Sequence, residues 1–155
     1  MPQLLKGGKY VFGWSKVNSE GRIVVPDEAL KEYRLTNVER VILLSGSKTS
    51  GGFGVTSVEK LKNSALAAIL ENCPQLENMQ LAEGEATVVK GRVYCWVKMN
   101  PYGSIAVPLA TLKKYGVHSG SDVLVVRGSN VALGFIARGP IFEEAKKHPE
   151  IPVYG

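Results

Sequence analysis

The hydrophobic and polar positions of this chain follow the same order twice. An imperfect alternation with period two predicts a strand, and a tight turn with Asn at its first position and Gly at its last follows it. A short apolar run then predicts a second strand, and a proline ends it and suits the first turn of a short helix. β-Branched runs beyond the helix predict two more strands joined by a glycine-containing hairpin. The pattern therefore indicates a β-turn-β-helix-β-β unit used twice.

The predicted bounds correspond between the two copies, which we call repeat 1 and repeat 2. In repeat 1 they are the turn 18–21, the strand 23–25, the helix 27–33 and the strands 38–45 and 53–56. In repeat 2 they are the turn 100–103, the strand 105–107, the helix 109–115 and the strands 122–127 and 131–136. Gly116 fits the left-handed position just beyond its helix. Arg34 stands there in repeat 1, so we expect that helix to end differently.

A constant offset of 82 residues aligns the two copies without a gap. Residues 12–44 and 94–126 share 11 of 33 positions, where ordinary composition gives roughly two. The identities include Trp14/Trp96, Gly21/Gly103, Ile23/Ile105, Pro26/Pro108 and Tyr33/Tyr115. The repeat therefore reflects an internal duplication.

Each copy is followed by a candidate helix. Ser57 suits the cap of a helix over 58–72, and Pro140 opens a shorter one through residue 147. This predicts repeat 1 with its helix over 9–72, an acidic linker over 73–89 and repeat 2 with its helix over 90–147. Residues 151–155 are expected to form a tail without clear structure.

Composition and charge place the chain among globular proteins and favour a polyanionic partner. It has 155 residues, 45% of them hydrophobic and 21% charged, with a net charge of +5. Residues 66–89 hold four acids and no base, so the other residues carry +9. No apolar run is long enough for a membrane span, and the first nine residues lack a signal-peptide stretch, which favours the cytoplasm.

The repeated motif resembles that of the AbrB/SpoVT swapped-hairpin transcription regulators. It reads Asn18-Ser-Glu-Gly-Arg-Ile-Val-Val-Pro26 in repeat 1 and Asn100-Pro-Tyr-Gly-Ser-Ile-Ala-Val-Pro108 in repeat 2. Two copies in one chain, each followed by a helix, are similar to the MraZ branch of that family. The chain departs from the family at the acidic first position, which is Asn in both copies, and at the motif arginine, which is Ser104 in repeat 2.

The resemblance implies a fold, a function and partners. The expected fold is mainly β with short helices (α+β), in which the two repeats form a swapped-hairpin, AbrB-like barrel with the helices outside. The expected function is regulation of transcription by binding double-stranded DNA through basic residues at the turn and short helix. The barrel would form within one chain or between chains, as a homo-oligomer, either a dimer or a ring.

The candidate nucleic-acid-binding residues are the basic side chains around these two motifs: Lys16, Arg22, Lys31, Arg34, Lys98, Lys113 and Lys114. Residues 9–44 carry a net charge of +1 and residues 90–127 a net charge of +5, so repeat 2 should dominate phosphate contact. Arg22 is the better candidate for a guanine edge, and the lysines would neutralise phosphates. The alternative is that these charges form a solvated surface.

Other chemistry finds little support in the sequence. Neither His118 nor His148 has a ligand-like partner at metal spacing, and Cys73 and Cys95 form no Cys-x-x-Cys motif. The two cysteines are expected to be small buried hydrophobes. We therefore predict no enzyme, no cofactor and no metal.

Two features keep alternatives open. The paired tryptophans suit core packing, or base stacking as in single-strand binders. A barrel of this kind could instead serve as a protein-interaction module, with 151–155 as a candidate docking tail, or as a small-ligand sensor.

Overall fold

Eight strands form one open, mostly antiparallel sheet, and two more form a separate ribbon. The computed structural model describes residues 9–78 and 80–155. The strands in those residues are β1 Val11–Lys16, β2 Arg22–Val24, β3 Arg40–Ser45, β4 Phe53–Thr56, β5 Thr87–Val89, β6 Arg92–Lys98, β7 Ser104–Ala106, β8 Asp122–Val126, β9 Leu133–Ile136 and β10 Val153–Tyr154. The helices are α1 Asp27–Glu32, α2 Val58–Lys62, α3 Ala68–Asn72, α4 Leu109–Lys114 and α5 Pro140–Ala145, with a 3₁₀ turn over Pro74–Leu76. The mixed α+β class, mostly sheet with short helices, is as predicted.

The sheet order shows that the two repeats exchange strands. The order is β10-β1-β8-β9-β4-β3-β6-β5, while β2 pairs with β7. The first strand of each repeat thus pairs with the third strand of the other, as β1 with β8 and β6 with β3. The sheet ends at β10 and β5 and does not close within the described residues, so the expected barrel is not confirmed.

Two contacts between equivalent residues lie at the centre of this arrangement. Ile23 pairs with Ile105 in the ribbon, and Phe53 pairs with Phe135 between β4 and β9, with their rings stacked at 5.1 Å. The members of each pair are 82 residues apart and both pairings are antiparallel, so each has a local two-fold relationship. All four side chains are buried in one core cluster that draws on both repeats.

The turns form as their residues predict. The Asn18 side chain accepts hydrogen bonds from the backbone N–H groups of Glu20 and Arg22 at 2.9 and 2.8 Å. In repeat 2 the Asn100 side chain accepts one from Tyr102 N at 2.8 Å. Gly at the last position has a φ of +80° or +85°, which explains why both copies keep a glycine there.

The ends of α1 and α4 are alike, contrary to the sequence prediction. Gly116 has a φ of +77° and its N–H bonds to Lys113 O, while Val117 N bonds to Leu112 O. Arg34 has the same left-handed conformation at a φ of +54°, and the backbone N–H groups of Arg34 and Leu35 make the corresponding two bonds. The packing of the repeat thus imposes this ending even without glycine.

Three other sequence predictions need correction. The helix over 58–72 is broken after Lys62 into α2 and α3, although Ser57 caps it as predicted by accepting from Lys60 N at 3.0 Å. The helix from Pro140 ends at Ala145 rather than at residue 147. The tail is structured, since β10 pairs in parallel with β1 and Ile151 is buried.

Candidate nucleic-acid interface

The turn of each repeat lies against the helix of the other. Val107 N donates to Gly21 O at 3.0 Å, and Val25 N donates to Gly103 O at 2.8 Å. A Cβ atom added to Gly103 would lie 2.5 Å from Leu30 Cδ1, and one added to Gly21 would overlap Val107 O. Because this contact crosses between repeats, each candidate site combines the turn of one repeat with the helix of the other.

These contacts create two corners that are related by the duplication but differ in charge. We call the turn 18–21 with α4 the basic corner, and the turn 100–103 with α1 the acidic corner. Helix α4 holds two bases, Lys113 and Lys114, and no acid. Helix α1 holds three acids against one base. Two of the six bases of residues 90–127 are therefore presented beside the turn of repeat 1, which itself holds one exposed acid, Glu20.

The lysines of the basic corner are available to a ligand. Both Lys113 and Lys114 are exposed, and neither makes an ion pair within 9–78 and 80–155. Their positive charges also lie in the last turn of α4, where cations suit the helix dipole. They follow Leu112, whose side chain faces Gly21 in the turn.

The bases near the acidic corner are compensated by acids. Lys31 pairs with Asp27 at 3.0 Å, and both side chains are exposed. Arg127 donates two hydrogen bonds of 2.6 Å to the Glu32 carboxylate, which lowers the pKa of Glu32. Arg127 contributes to the charge of repeat 2 in the sequence, but here an acid of repeat 1 balances it. Lys31 is thus a weaker candidate than its sequence position suggests.

Arg22 lies on the central ribbon with its side chain exposed. Its backbone pairs with Ala106, and its Nη1 donates a hydrogen bond to Ser104 Oγ at 3.1 Å. Ser104 is itself buried, with 7% of its surface exposed. The ribbon therefore presents one arginine near the centre of the duplicated arrangement.

Lys16 and Lys98 occupy equivalent positions at the ends of β1 and β6. Both side chains are exposed, and they pair across their strands with Asp122 and Arg40 respectively. Lys98 N also donates to a Glu83 carboxylate oxygen at 2.7 Å, which brings an acid of the predicted linker to that end. The environment of Lys98 is thus less cationic than its sequence neighbours indicate.

Arg34 lines a cavity rather than a corner. The cavity has a volume of about 720 Å³ and also involves Lys60 of α2 and Asn130 of the β8–β9 loop. Lys60 was not among the candidates predicted from the sequence, because its position near Arg34 depends on how α2 packs. No local pattern could have identified it.

The tryptophans pack against the protein rather than present free faces. Trp96 is 4% exposed and its Nε1 donates to Leu81 O at 2.8 Å. Trp14 is half-buried, with its ring edge-on to Phe142 at 5.0 Å. Core packing is therefore confirmed for Trp96, whereas Trp14 is only partly buried and also lines a surface cavity.

Cys73 and Cys95 are both free and buried, as predicted. Burial raises the pKa of the Cys95 thiol to about 11, which keeps it protonated. Within 9–78 and 80–155, no three His, Cys, Asp or Glu side chains are grouped so as to hold a metal ion. None of the helices in this part of the chain has the length and apolar character needed to cross a membrane.

Comparison of the sequence with models of known protein families gave no match, and neither did a search of curated proteins.

Proposed function

We propose that this chain is a DNA-binding transcription regulator of the AbrB/MraZ type. The observation that carries the proposal is the basic corner, where the turn preceding Arg22 packs against Leu112 of α4, the helix of the other repeat that carries the exposed Lys113 and Lys114. A DNA duplex carries one negative charge per about 1.7 Å of its axis, so a surface with several uncompensated bases suits it. The resemblance of both motifs to this family supports the same proposal.

The proposed fold type is the swapped-hairpin arrangement, made within a single chain. The exchange of first and third strands between repeats supports it, as does the pairing of Ile23 with Ile105. In this proposal the central ribbon and the two corners belong to one side of an interlaced pair of repeats. The eight-stranded sheet of this arrangement is open within the described residues.

The lysines and Arg22 would have different roles in binding DNA, because their side chains differ in chemistry. Lys113 and Lys114 would neutralise phosphates and fix the orientation of the duplex. Arg22 would take a guanine edge, since a guanidinium can bond O6 and N7 together. Helix α4 has six residues and spans only about 9 Å, so it offers a short reading surface. We therefore propose modest sequence specificity, with recognition partly through DNA shape.

The proposal includes association of the chain with copies of itself, as a dimer or a ring, in the cytoplasm. The open edge of the sheet supports self-association. Strand β5 pairs only with β6 among the described strands, and Val88 on it is 64% exposed. An unpaired edge of this kind is a template for strand pairing between chains.

Binding to a random-sequence duplex tests the function. We compare the native chain with Lys113→Gln/Lys114→Gln and with the control Lys146→Gln/Lys147→Gln, which removes the same charge beyond α5. The proposal predicts at least a tenfold loss of affinity, about 1.4 kcal/mol, for the α4 variant only. Equal affinities for all three chains would refute DNA binding at the basic corner and favour the protein-interaction alternative.

A further inference from the structure

The cavity beside Arg34 combines positive charge with polar and apolar walls. Its volume of about 720 Å³ falls within the range of small-molecule sites. Its apolar wall includes Val38, Val58 and Val131, and its polar wall includes Asn63 and Asn130. It lies between the end of α1, helix α2 and the β8–β9 loop, so it draws on both repeats.

Two cations at this cavity, Arg34 and Lys60, form no ion pair in the described part of the chain, although the charge of Glu32 acts on Lys60. The Arg34 guanidinium makes no hydrogen bond or ion pair within the described ranges, and Lys60 Nζ lies 5.1 Å from the centre of the Tyr33 ring. Burial lowers the pKa of Lys60, and the positive charge of Arg34 lowers it further. The nearby Glu32 is already bonded by Arg127. An anion placed between the two cations would relieve their repulsion.

Arg40, the third basic residue that lines the cavity, already has hydrogen-bond acceptors within the protein. Arg40 donates hydrogen bonds to the carbonyl oxygens of Leu76 and Glu77. Glu39 and Glu59 also line the cavity and are exposed. These carboxylates would repel an anion close to them but would accept hydrogen bonds from hydroxyl groups. The walls therefore suit a molecule with an anionic end and a hydroxylated body.

Arg34 has a left-handed backbone conformation. Its φ of +54° is a conformation that costs a non-glycine residue about 1–2 kcal/mol, and the equivalent residue of repeat 2 is Gly116. Gly116 makes the same helix ending without that strain, so repeat 1 holds the charge of Arg34 at the cavity at a cost in stability. Repeat 2 also has Phe142 at the position of Lys60, so the pair of cations is particular to repeat 1.

We propose that this cavity binds a small phosphate monoester with a hydroxylated body, and that Arg34 and Lys60 hold its phosphate group. Arginine can bond two phosphate oxygens at once, and lysine adds a point charge. Asn63, Asn130 and the carboxylates would bond the hydroxyl groups. The site is separate from the basic corner, and it does not depend on the proposed DNA binding.

Thermal unfolding and calorimetry with three probes test the site: AMP, glucose 6-phosphate and glycerol 3-phosphate. We expect at least one probe to raise the Tm by about 2 °C or more at about 5 mM. Adenosine, glucose and glycerol should leave the Tm unchanged. The absence of any shift with all three phosphate esters, or equal shifts with the unphosphorylated compounds, would overturn the proposal.

Substitutions inside and outside the cavity test whether the phosphate ester binds there. Lys60→Gln and Arg34→Gly should each reduce affinity at least tenfold, while Lys62→Gln on the same helix should not, because Lys62 pairs with Glu77 outside the cavity. Arg34→Gly should raise the Tm of the free protein by about 2–4 °C by relieving the left-handed strain, so its loss of ligand binding could not reflect unfolding. Lys113→Gln/Lys114→Gln should keep the ligand shift. Binding that survives both cavity variants would contradict the proposed site.

Discussion

Arg22 donates a hydrogen bond to Ser104, and Ser104 is the residue that occupies the position of Arg22 in repeat 2. The two side chains are diagonal neighbours on the β2–β7 ribbon, on either side of the Ile23–Ile105 pair. If both repeats carried arginine, two guanidinium groups would meet at this point. Serine removes that repulsion and supplies an acceptor, so the divergence of repeat 2 stabilises the ribbon.

A double-mutant cycle tests this relationship. Ser104→Arg should reduce the free energy of unfolding by about 1–3 kcal/mol, because the site is 7% exposed and would receive a second cation. Adding Arg22→Ser should recover part of that loss by restoring one arginine and one serine. Urea denaturation of the four chains gives the coupling energy. Additive effects of the two changes would show that the residues do not interact.

The two turn glycines should tolerate alanine unequally. Gly21→Ala places a methyl group against the rigid backbone oxygen of Val107, whereas Gly103→Ala meets the flexible end of Leu30. We expect losses of about 3 kcal/mol or more for Gly21→Ala and about 1–2 kcal/mol for Gly103→Ala. Chemical denaturation measures both.

Gly91→Ala is the matched control for those substitutions. Gly91 has a φ of +82°, close to that of the turn glycines, but no atom lies within 4 Å of an added Cβ. The loss of unfolding free energy in Gly91→Ala should reflect backbone strain alone, about 1 kcal/mol. A loss as large as that of Gly21→Ala would mean that the contact with the other repeat is unimportant.

His148 should make the stability of the C-terminal region depend on pH. Its ring nitrogens lie 2.8 Å from Glu150 and 3.1 Å from Glu144, and these hydrogen bonds, Glu150 first, raise its pKa above 6.5. The folded protein therefore holds this proton more tightly than the unfolded chain does. The stabilisation is complete below about pH 6.5 and is lost as pH rises through the folded pKa.

Thermal unfolding at two pH values checks this expectation. The Tm of the native chain should exceed that of His148→Gln by more at about pH 5.5 than at about pH 8.5, because the protonated fraction of His148 falls as the pH rises. His118→Gln is the control, since the His118 side chain makes no ion pair in the described part of the chain. A Tm difference that grows with pH would contradict the assigned sign.

Deleting residues 152–155 should expose the β1 edge of the sheet. Trp14 N would lose its 2.9 Å bond to Pro152 O, and the register of Trp14 with Val153 would be lost. We expect a loss of about 1–3 kcal/mol in unfolding free energy, with concentration-dependent self-association in light scattering. Val153→Ala, at a residue 67% exposed, should change stability by less than about 0.5 kcal/mol. Unchanged stability after deletion would show that β10 contributes little.

Local patterns predicted the elements whose causes are local. The Asn-x-x-Gly turns, the prolines before α1 and α4 and the Ser57 cap each depend on residues a few positions apart. The Arg34 ending and the pairing of β10 depend on contacts made elsewhere in the chain, so sequence patterns could not reveal them. For the same reason, alternation alone did not predict the open sheet.

The sequence indicated which residue types form the candidate site, but it did not show which of these residues lie together in the structure. Lys113 and Lys114 were selected from their residue type and were assigned to the turn of their own repeat. Both are exposed in the structure, and their role in binding stays a prediction. The structure pairs them with the turn of the other repeat. Lys31 and Arg127 appeared equally cationic in the sequence, but long-range and helical ion pairs balance them. Strand exchange is the physical reason for the changed turn and for the Arg127–Glu32 pair, whereas the Lys31–Asp27 pair is local to α1.

The central claim is that a basic surface of this protein binds the phosphates of DNA. The salt dependence of binding to a random-sequence duplex tests this claim most directly. Arg22, Lys113 and Lys114 of the basic corner supply about three phosphate-neutralising charges, which predict a slope near −3 in a plot of the logarithm of affinity against the logarithm of salt concentration. A slope flatter than about −2, or no measurable binding at low salt, would contradict the claim.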